Sequence, residues 1–184
     1  MIMVGAGGAS IDALSFLSHE EVYFYDDNKT GLFQGYKILG TTDDLCRMQT
    51  DDTIYLAIGS VGDNRVRNRI YKKLTEAGLK IDPLLLCQFI SRNAKIGNNV
   101  LANVGSQIHH DCIIGDNCVI SPGVILCGNV TLEQNVFVGA GAVIIQGITV
   151  GENAVMGMGS VVLKDVPPNA VMVGNPARFT KWNT

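Results

Sequence analysis

Along the second half of the chain a hydrophobic residue returns at every sixth position. Starting at Ile90, the series runs Ile96, Ala102, Ile108, Ile114, Ile120, Leu126, Leu132, Val138, Ile144, Val150, Met156 and Val162, and only Ala102 is small. Four residues after each member stands a small or β-branched partner: Ala94, Val100, Ser106, Cys112, Cys118, Val124, Val130, Val136, Ala142, Ile148, Ala154 and Ser160. A helix repeats every 3.6 residues and a strand every two, so neither holds this pattern on one face. A coil with short straight sides does. Each side points its large aliphatic and its smaller partner inward, and Gly97, Gly115, Gly139, Gly151 and Gly157, with the Asn- and Asp-rich positions, are expected at tight corners. Three sides close a triangular turn, so residues eighteen apart stack at about the 4.8 Å inter-strand spacing, and the segment holds about four coils.

Residues 1 to about 80 have a different texture. Ile2 to Val4, Val22 to Tyr25 and Ile54 to Ile58 read as strands. Asp63-Asn64 can cap a helix whose face includes Val66, Ile70 and Leu74 and which ends near Gly78. Such alternation implies a parallel sheet with ligands at the carboxyl ends of its strands. Gly5-Ala6-Gly7-Gly8 follows the first strand and opens a helix, where free backbone N–H groups can meet a phosphate. A tight strand-helix turn with no ligand would carry the same residues. Ser10 replaces the third glycine of the dinucleotide fingerprint, which argues against a complete nicotinamide site. Asp26-Asp27 closes the second strand about twenty residues on, where an acidic group commonly reaches a ribose or base. The reading is a Rossmann-like α/β nucleotide-sugar domain over 1–82, then an all-β parallel β-helix with a C-terminal cap over 83–184.

Composition narrows the function. At 184 residues and 47% apolar, the chain can bury a sizeable core, and a formal charge of −3 gives no field for nucleic acid. The opening residues lack a basic n-region and no apolar run reaches membrane-spanning length, so a cytoplasmic protein is expected. Cys46, Cys87, Cys112, Cys118 and Cys127 show no metal-ligand spacing, and no metal is expected.

Both halves together resemble, over nearly the whole chain, the sialic acid O-acetyltransferase and UDP-4-amino-sugar N-acetyltransferase family, which includes bacillosamine-pathway acetyltransferases. The likeness rests on Gly5-Ala6-Gly7-Gly8, Tyr25-Asp26-Asp27, Ala57-Ile58-Gly59, the run from Ser106 to Gly115 through His109-His110-Asp111, and Val173-Gly174-Asn175-Pro176-Ala177-Arg178. The resemblance implies a left-handed coil, a homotrimer, and acetyl-CoA lying between coils of adjacent subunits. It implies His110 as general base, Asp111 as the group orienting it, and Asn103 nearby. Gly5, Gly7, Gly8, Asp26, Asp27 and Gly59 become the sugar-nucleotide site. Phe137, Gly139, Ala140, Gly157, Gly174 and Arg178 become the acetyl-CoA site, with Arg178 beside a phosphate. Two positions depart from some relatives, which have His where this chain has Ala9 and Val119.

The residues support the same chemistry. His19, His109 and His110 are the three histidines, and His19 lies in a polar stretch that reads as solvated. Ile108 takes the inward position, which leaves His109 and His110 near an outer corner; a pair of solvated surface histidines would look the same. A neutral imidazole can accept the proton of an amine or hydroxyl attacking a thioester. Gly128 lies one coil from His110, so its N–H can stabilise the oxyanion. Cys112, at an inward position, is poorly placed for an acyl-enzyme. The expected activity is acetyl transfer from acetyl-CoA to the amine of a nucleotide-linked 4-amino sugar. O-acetylation of sialic acid or a related sugar, and a catalytically silent scaffold, are the competing readings.

Overall fold

The computed structural model describes residues 1–16, 21–48, 50–59 and 64–183. His19 and Asp63 lie outside them. The first half is built from strands β1 (Ile2–Val4), β2 (Tyr23–Tyr25), β3 (Gly31–Phe33), β4 (Tyr36–Gly40), β5 (Ile54–Leu56) and β6 (Ile81–Asp82), with helices α1 (Gly8–Phe16), α2 (Thr42–Cys46) and α3 (Arg65–Glu76). The sheet order is β3-β4-β2-β1-β5-β6, parallel except for the β3/β4 pair. The central strand is buried on both faces, as parallel sheets require. Ile2 and Val4 pack with Leu45, Ile70 and Leu74 under α2 and α3, whereas Met3 and Phe24 face Leu84, Leu101, Val119 and Phe137 of the second half.

Local chemistry sets the elements. Helix α2 starts at a capping box: the Thr41 hydroxyl accepts from Asp44 N–H, and the Asp44 carboxylate accepts from Thr41 N–H. Hydrogen bonds that the Asp44 carboxylate accepts from the Thr41 N–H and the Thr41 hydroxyl hold it below the usual carboxylate range. Helix α3 ends where Gly78 takes φ +85, with Leu79 N–H on Leu74 O and Gly78 N–H on Thr75 O, a Schellman closure. Two expectations for α3 are corrected. Asn64 makes no side-chain cap bond; its amide turns away to the second half. The inward face is Arg67, Ile70 and Leu74, and Val66 is 42% exposed because it borders a cleft.

The second half is the triangular coil. Leu84–Leu85 pairs with Leu101–Ala102, and from there rungs pair in parallel with the residue eighteen later, as Leu101↔Val119, Val119↔Phe137 and Phe137↔Val155 do, until the last turn closes at sixteen with Val155↔Val171. Three sheets run the length of this left-handed β-helix, and both periodic series from Ile108 onward are buried inside it. The corners are not where the first set of glycines stands. The left-handed backbone falls at Asn99, Gly105, Asp111, Asn117, Gly123, Asn129, Asn135, Gly141, Gly147, Asn153 and Gly159. Gly115 and Gly139 serve close approach instead: a Cβ would sit 2.8 Å from Gln134 N and 2.7 Å from Met158 N of the next coil. The last rung, Ala170–Val173, is closed by the antiparallel segment Arg178–Trp182. No described helix is long and apolar enough to cross a membrane.

Candidate functional site

One candidate centre is the corner after Gln107–Ile108. Ile108 is buried, and the chain then turns outward through His109, His110 and Asp111. The next coil holds this corner by its backbone: His109 N–H donates to Leu126 O at 3.0 Å, and Asn129 N–H donates to His110 O at 2.8 Å. Asp111 adopts φ 60, and its Oδ2 lies 3.0 Å from His110 Nδ1. A carboxylate there favours the tautomer with the proton on Nδ1, leaving the Nε2 lone pair free. His109 instead packs against Phe89, ring centroids 5.5 Å apart. The His110 and Asp111 side chains are 54% and 50% exposed, so within one chain the pair faces solvent.

Gly128 lies directly against the imidazole. A Cβ on it would be 2.3 Å from both Cε1 and Nε2 of His110. Its backbone does not take the left-handed conformation, so it is the ring and not the chain that excludes a side chain. Cys127 N–H and Asn129 N–H on either side both enter the ladder, to Ile144 O and His110 O. Cys112 is buried with its thiol on Cys127 O at 3.1 Å, and burial pushes that thiol up. Asn103 sits on the preceding corner, where its amide donates to Ile120 O at 3.2 Å rather than to the imidazole.

The residues expected around acetyl-CoA are scattered by the stacking rule. Phe137 stacks on Leu101 and Val119 on the side covered by the first half, and is 5% exposed; Val119 is closed off in the same way. A Cβ on Gly157 would lie 2.2 Å from Val173 Cγ1, so that glycine also serves coil packing. Ala140 is half-buried beside the Gly141 corner. Gly174 takes φ +100 before the cis Asn175-Pro176 bond, and Arg178 is exposed at a cleft shared with Leu163, Lys164 and Phe179.

A second centre is a cleft of about 370 Å³ at the carboxyl ends of β1, β2 and β5. Gly5, Gly7, Gly8, Asp26, Asp27 and Gly59 all line it. Gly5 needs its φ of +100, and its carbonyl accepts the Ser10 hydroxyl, so Ser10 locks the turn onto α1. A Cβ on Gly7 or Gly8 would meet nothing within 4 Å. The acidic pair is engaged with the protein's own backbone. Asp26 accepts from Ala6 N–H at 2.7 Å and Asn28 N–H at 2.8 Å; Asp27 accepts from Thr42 N–H at 2.7 Å. Asp26 thus already receives one N–H of the glycine turn. The cations were not anticipated: Lys29, whose ammonium donates to Ala6 O and lies over Phe33, and Arg69 both border the cleft. The Arg69 position, one turn on from Val66, was the available signal.

A small α/β half followed by a coil of six-residue repeats is the fold of the hexapeptide-repeat transferases. Residues 93–128 match the model of the bacterial transferase hexapeptide (six repeats), 129–164 that of the hexapeptide repeat of succinyl-transferase, and 1–74 that of the PglD N-terminal domain. The chain thus carries a stretch similar to the PglD N-terminal domain ahead of two stretches of hexapeptide repeats. Among solved structures, it resembles a variant of GDP-perosamine N-acetyl transferase from Caulobacter crescentus in complex with CoA and GDP-perosamine. That match has a TM-score of 0.82 and 26% identity, over 98% of this chain and 96% of the other. WeeI from Acinetobacter baumannii matches at TM-score 0.77 and 28% identity, over 97% and 98% of the two chains. The acetyltransferase domain of PglB from Neisseria gonorrhoeae, at 24% identity and TM-score 0.76 over 97% and 98%, shares the fold.

Proposed function

We propose that this chain transfers the acetyl group of acetyl-CoA to the amine of a nucleotide-linked 4-amino sugar. The observation that carries the reading is the His110 imidazole held between the Asp111 carboxylate and the Gly128 backbone. Nε2 takes the proton of the attacking amine, and Asp111 stabilises the imidazolium that forms. The N–H of Gly128, the residue packed against that ring, meets the developing oxyanion. No acyl-enzyme is needed, in keeping with the buried Cys112 thiol. The nucleotide belongs in the cleft of the first half, with phosphate oxygens on the N–H groups around Gly7 and Gly8 and near Lys29 and Arg69. GDP-perosamine, bound by the Caulobacter relative, is such an acceptor.

The half-exposed His110 suits a site covered by a second copy, so the working unit is a homotrimer acting in the cytoplasm, where acetyl-CoA and sugar nucleotides are made. Asn103, Ala140, Gly174 and Arg178 belong to the face that such a copy and acetyl-CoA would cover. Incubating the protein with acetyl-CoA and a panel of nucleotide-linked amino and hydroxy sugars tests the reading. Free CoA should appear only with amine acceptors; transfer to hydroxyl acceptors alone would overturn it.

A further inference from the structure

The junction between the two halves holds a charge that no carboxylate meets among the described residues. Arg67 is 1% exposed and heads the fully buried side chains by volume. Its Nη1 donates to Leu56 O and to Ile58 O, at 3.2 Å for the latter. Its Nη2 donates to Asn99 O at 2.9 Å and Asn99 Oδ1 at 2.7 Å, and its Nε has no partner among the described residues. Those contacts join two structures that do different jobs. Ala57, Ile58 and Gly59 are one wall of the nucleotide cleft. Asn99 is the foot of an asparagine ladder up the coil: its Nδ2 donates to Asn117 Oδ1 at 2.8 Å, and Asn117 Nδ2 donates to Asn135 Oδ1 at 2.7 Å. Helix α3 adds Asn64, whose amide reaches the carbonyls of Asn117, Asn135 and Val136, and Asn68, which reaches Asn135 Oδ1.

Burying a guanidinium is expensive, and burial pulls this one down to about 9. An apolar side chain of similar volume would hold two surfaces together at lower cost. A planar fork, by contrast, fixes direction as well as contact. Resting on the acetyl-transfer reading above, we propose that Arg67 is a positioning residue: it sets the 57–59 wall of the nucleotide cleft at a fixed offset from the coil that carries the base. An acceptor anchored by its nucleotide is then delivered in register with the thioester. A misplacement of about 1 Å costs about 100-fold in rate.

The test compares two acceptors in wild type, Arg67→Met, Arg67→Lys and Asn99→Gly. The last removes the Oδ1 acceptor and the first amide of the ladder, keeps the carbonyl at 99, and suits the left-handed backbone at that position, φ 50. With the nucleotide-linked amino sugar, kcat/KM should fall roughly 10- to 100-fold in Arg67→Met and Asn99→Gly, with KM for acetyl-CoA unchanged. Arg67→Lys should fall between, since one ammonium does not span both carbonyl sets. With the free amino sugar, which has no anchor on the first half, all four proteins should turn over alike. An equal loss on both acceptors, or none on either, overturns the proposal. If Arg67→Met does not fold, Asn99→Gly decides. Should wild type acetylate no nucleotide-linked amine, the acetyl-transfer reading fails by itself. The strut is then judged by amide exchange at residues 57–59 with a nucleoside diphosphate bound: faster exchange in Asn99→Gly supports it, and unchanged exchange refutes it.

Discussion

The cleft on the first half and the corner at His110 both depend on glycine, for opposite reasons. Gly7 and Gly8 face open space, so nothing in the chain forbids a side chain there. Gly128 faces a volume already filled by the imidazole. In the cleft a missing side chain makes room for a molecule from outside; at the corner it makes room for the protein itself. The first pair should therefore govern affinity and the second residue rate.

That contrast can be broken in three places. Replacing His110 with Ala should lower kcat by about 10²- to 10⁴-fold, the usual worth of a general base, with unfolding unchanged because the ring is half exposed. Retained turnover on a good acceptor would remove the base from the mechanism. Gly128→Ala should cost about 100-fold in kcat, since its Cβ would lie 2.3 Å from the imidazole atoms and the ring must swing away. Stability should hold, and steady-state rates beside a melting curve separate the two effects. Gly7→Ala should raise KM for the nucleotide sugar by roughly tenfold, about 1.4 kcal/mol, while leaving kcat and KM for acetyl-CoA alone. A fall in kcat with unchanged KM would reverse the contrast.

The smallest effect concerns neither glycine site but the coil beneath them. Burial pushes the Cys118 thiol up to about 12, from 9.0 for a free thiol. Between these values the unfolded chain loses the proton while the native chain keeps it, so the contribution is complete below pH 9 and disappears as pH rises towards 12. Urea midpoints at pH 8 and pH 10 should therefore separate more for wild type than for Cys118→Ala. Equal separations would mean the thiol ionises as freely in the native coil.

The coil was legible because its period is enforced by geometry, residue by residue. Every inward position from Ile108 to Val162 followed from counting sixes, and so did the approach of Gly128 to His110. The glycines were misplaced because a residue without a side chain looks the same in sequence whether it bends the chain or lets a neighbour in. The first half was harder to read. The β3/β4 hairpin turns on Gln34-Gly35 at φ 51 and 83, and Gln is not among the residues that usually signal such a turn. Arg67 was invisible since a charged residue on a helix is expected to face water, and only the coil packed against α3 makes it interior. The placement of Phe137 and Val119 has the same origin: the period fixes which side they stand on, not what covers that side.

The eighteen-residue register has a consequence for how such a chain can vary. What lies above His110 is decided by the number of residues between them, so almost any side chain can change on the outer face without moving the pair. Inserting or deleting a single residue anywhere from 111 to 127 would shift every later rung by a sixth of a side and bring Cys127 or Asn129 over the imidazole in place of Gly128. Spacing is therefore the trait this half must inherit intact, and additions are tolerable only as loops that bulge from a corner and return to it.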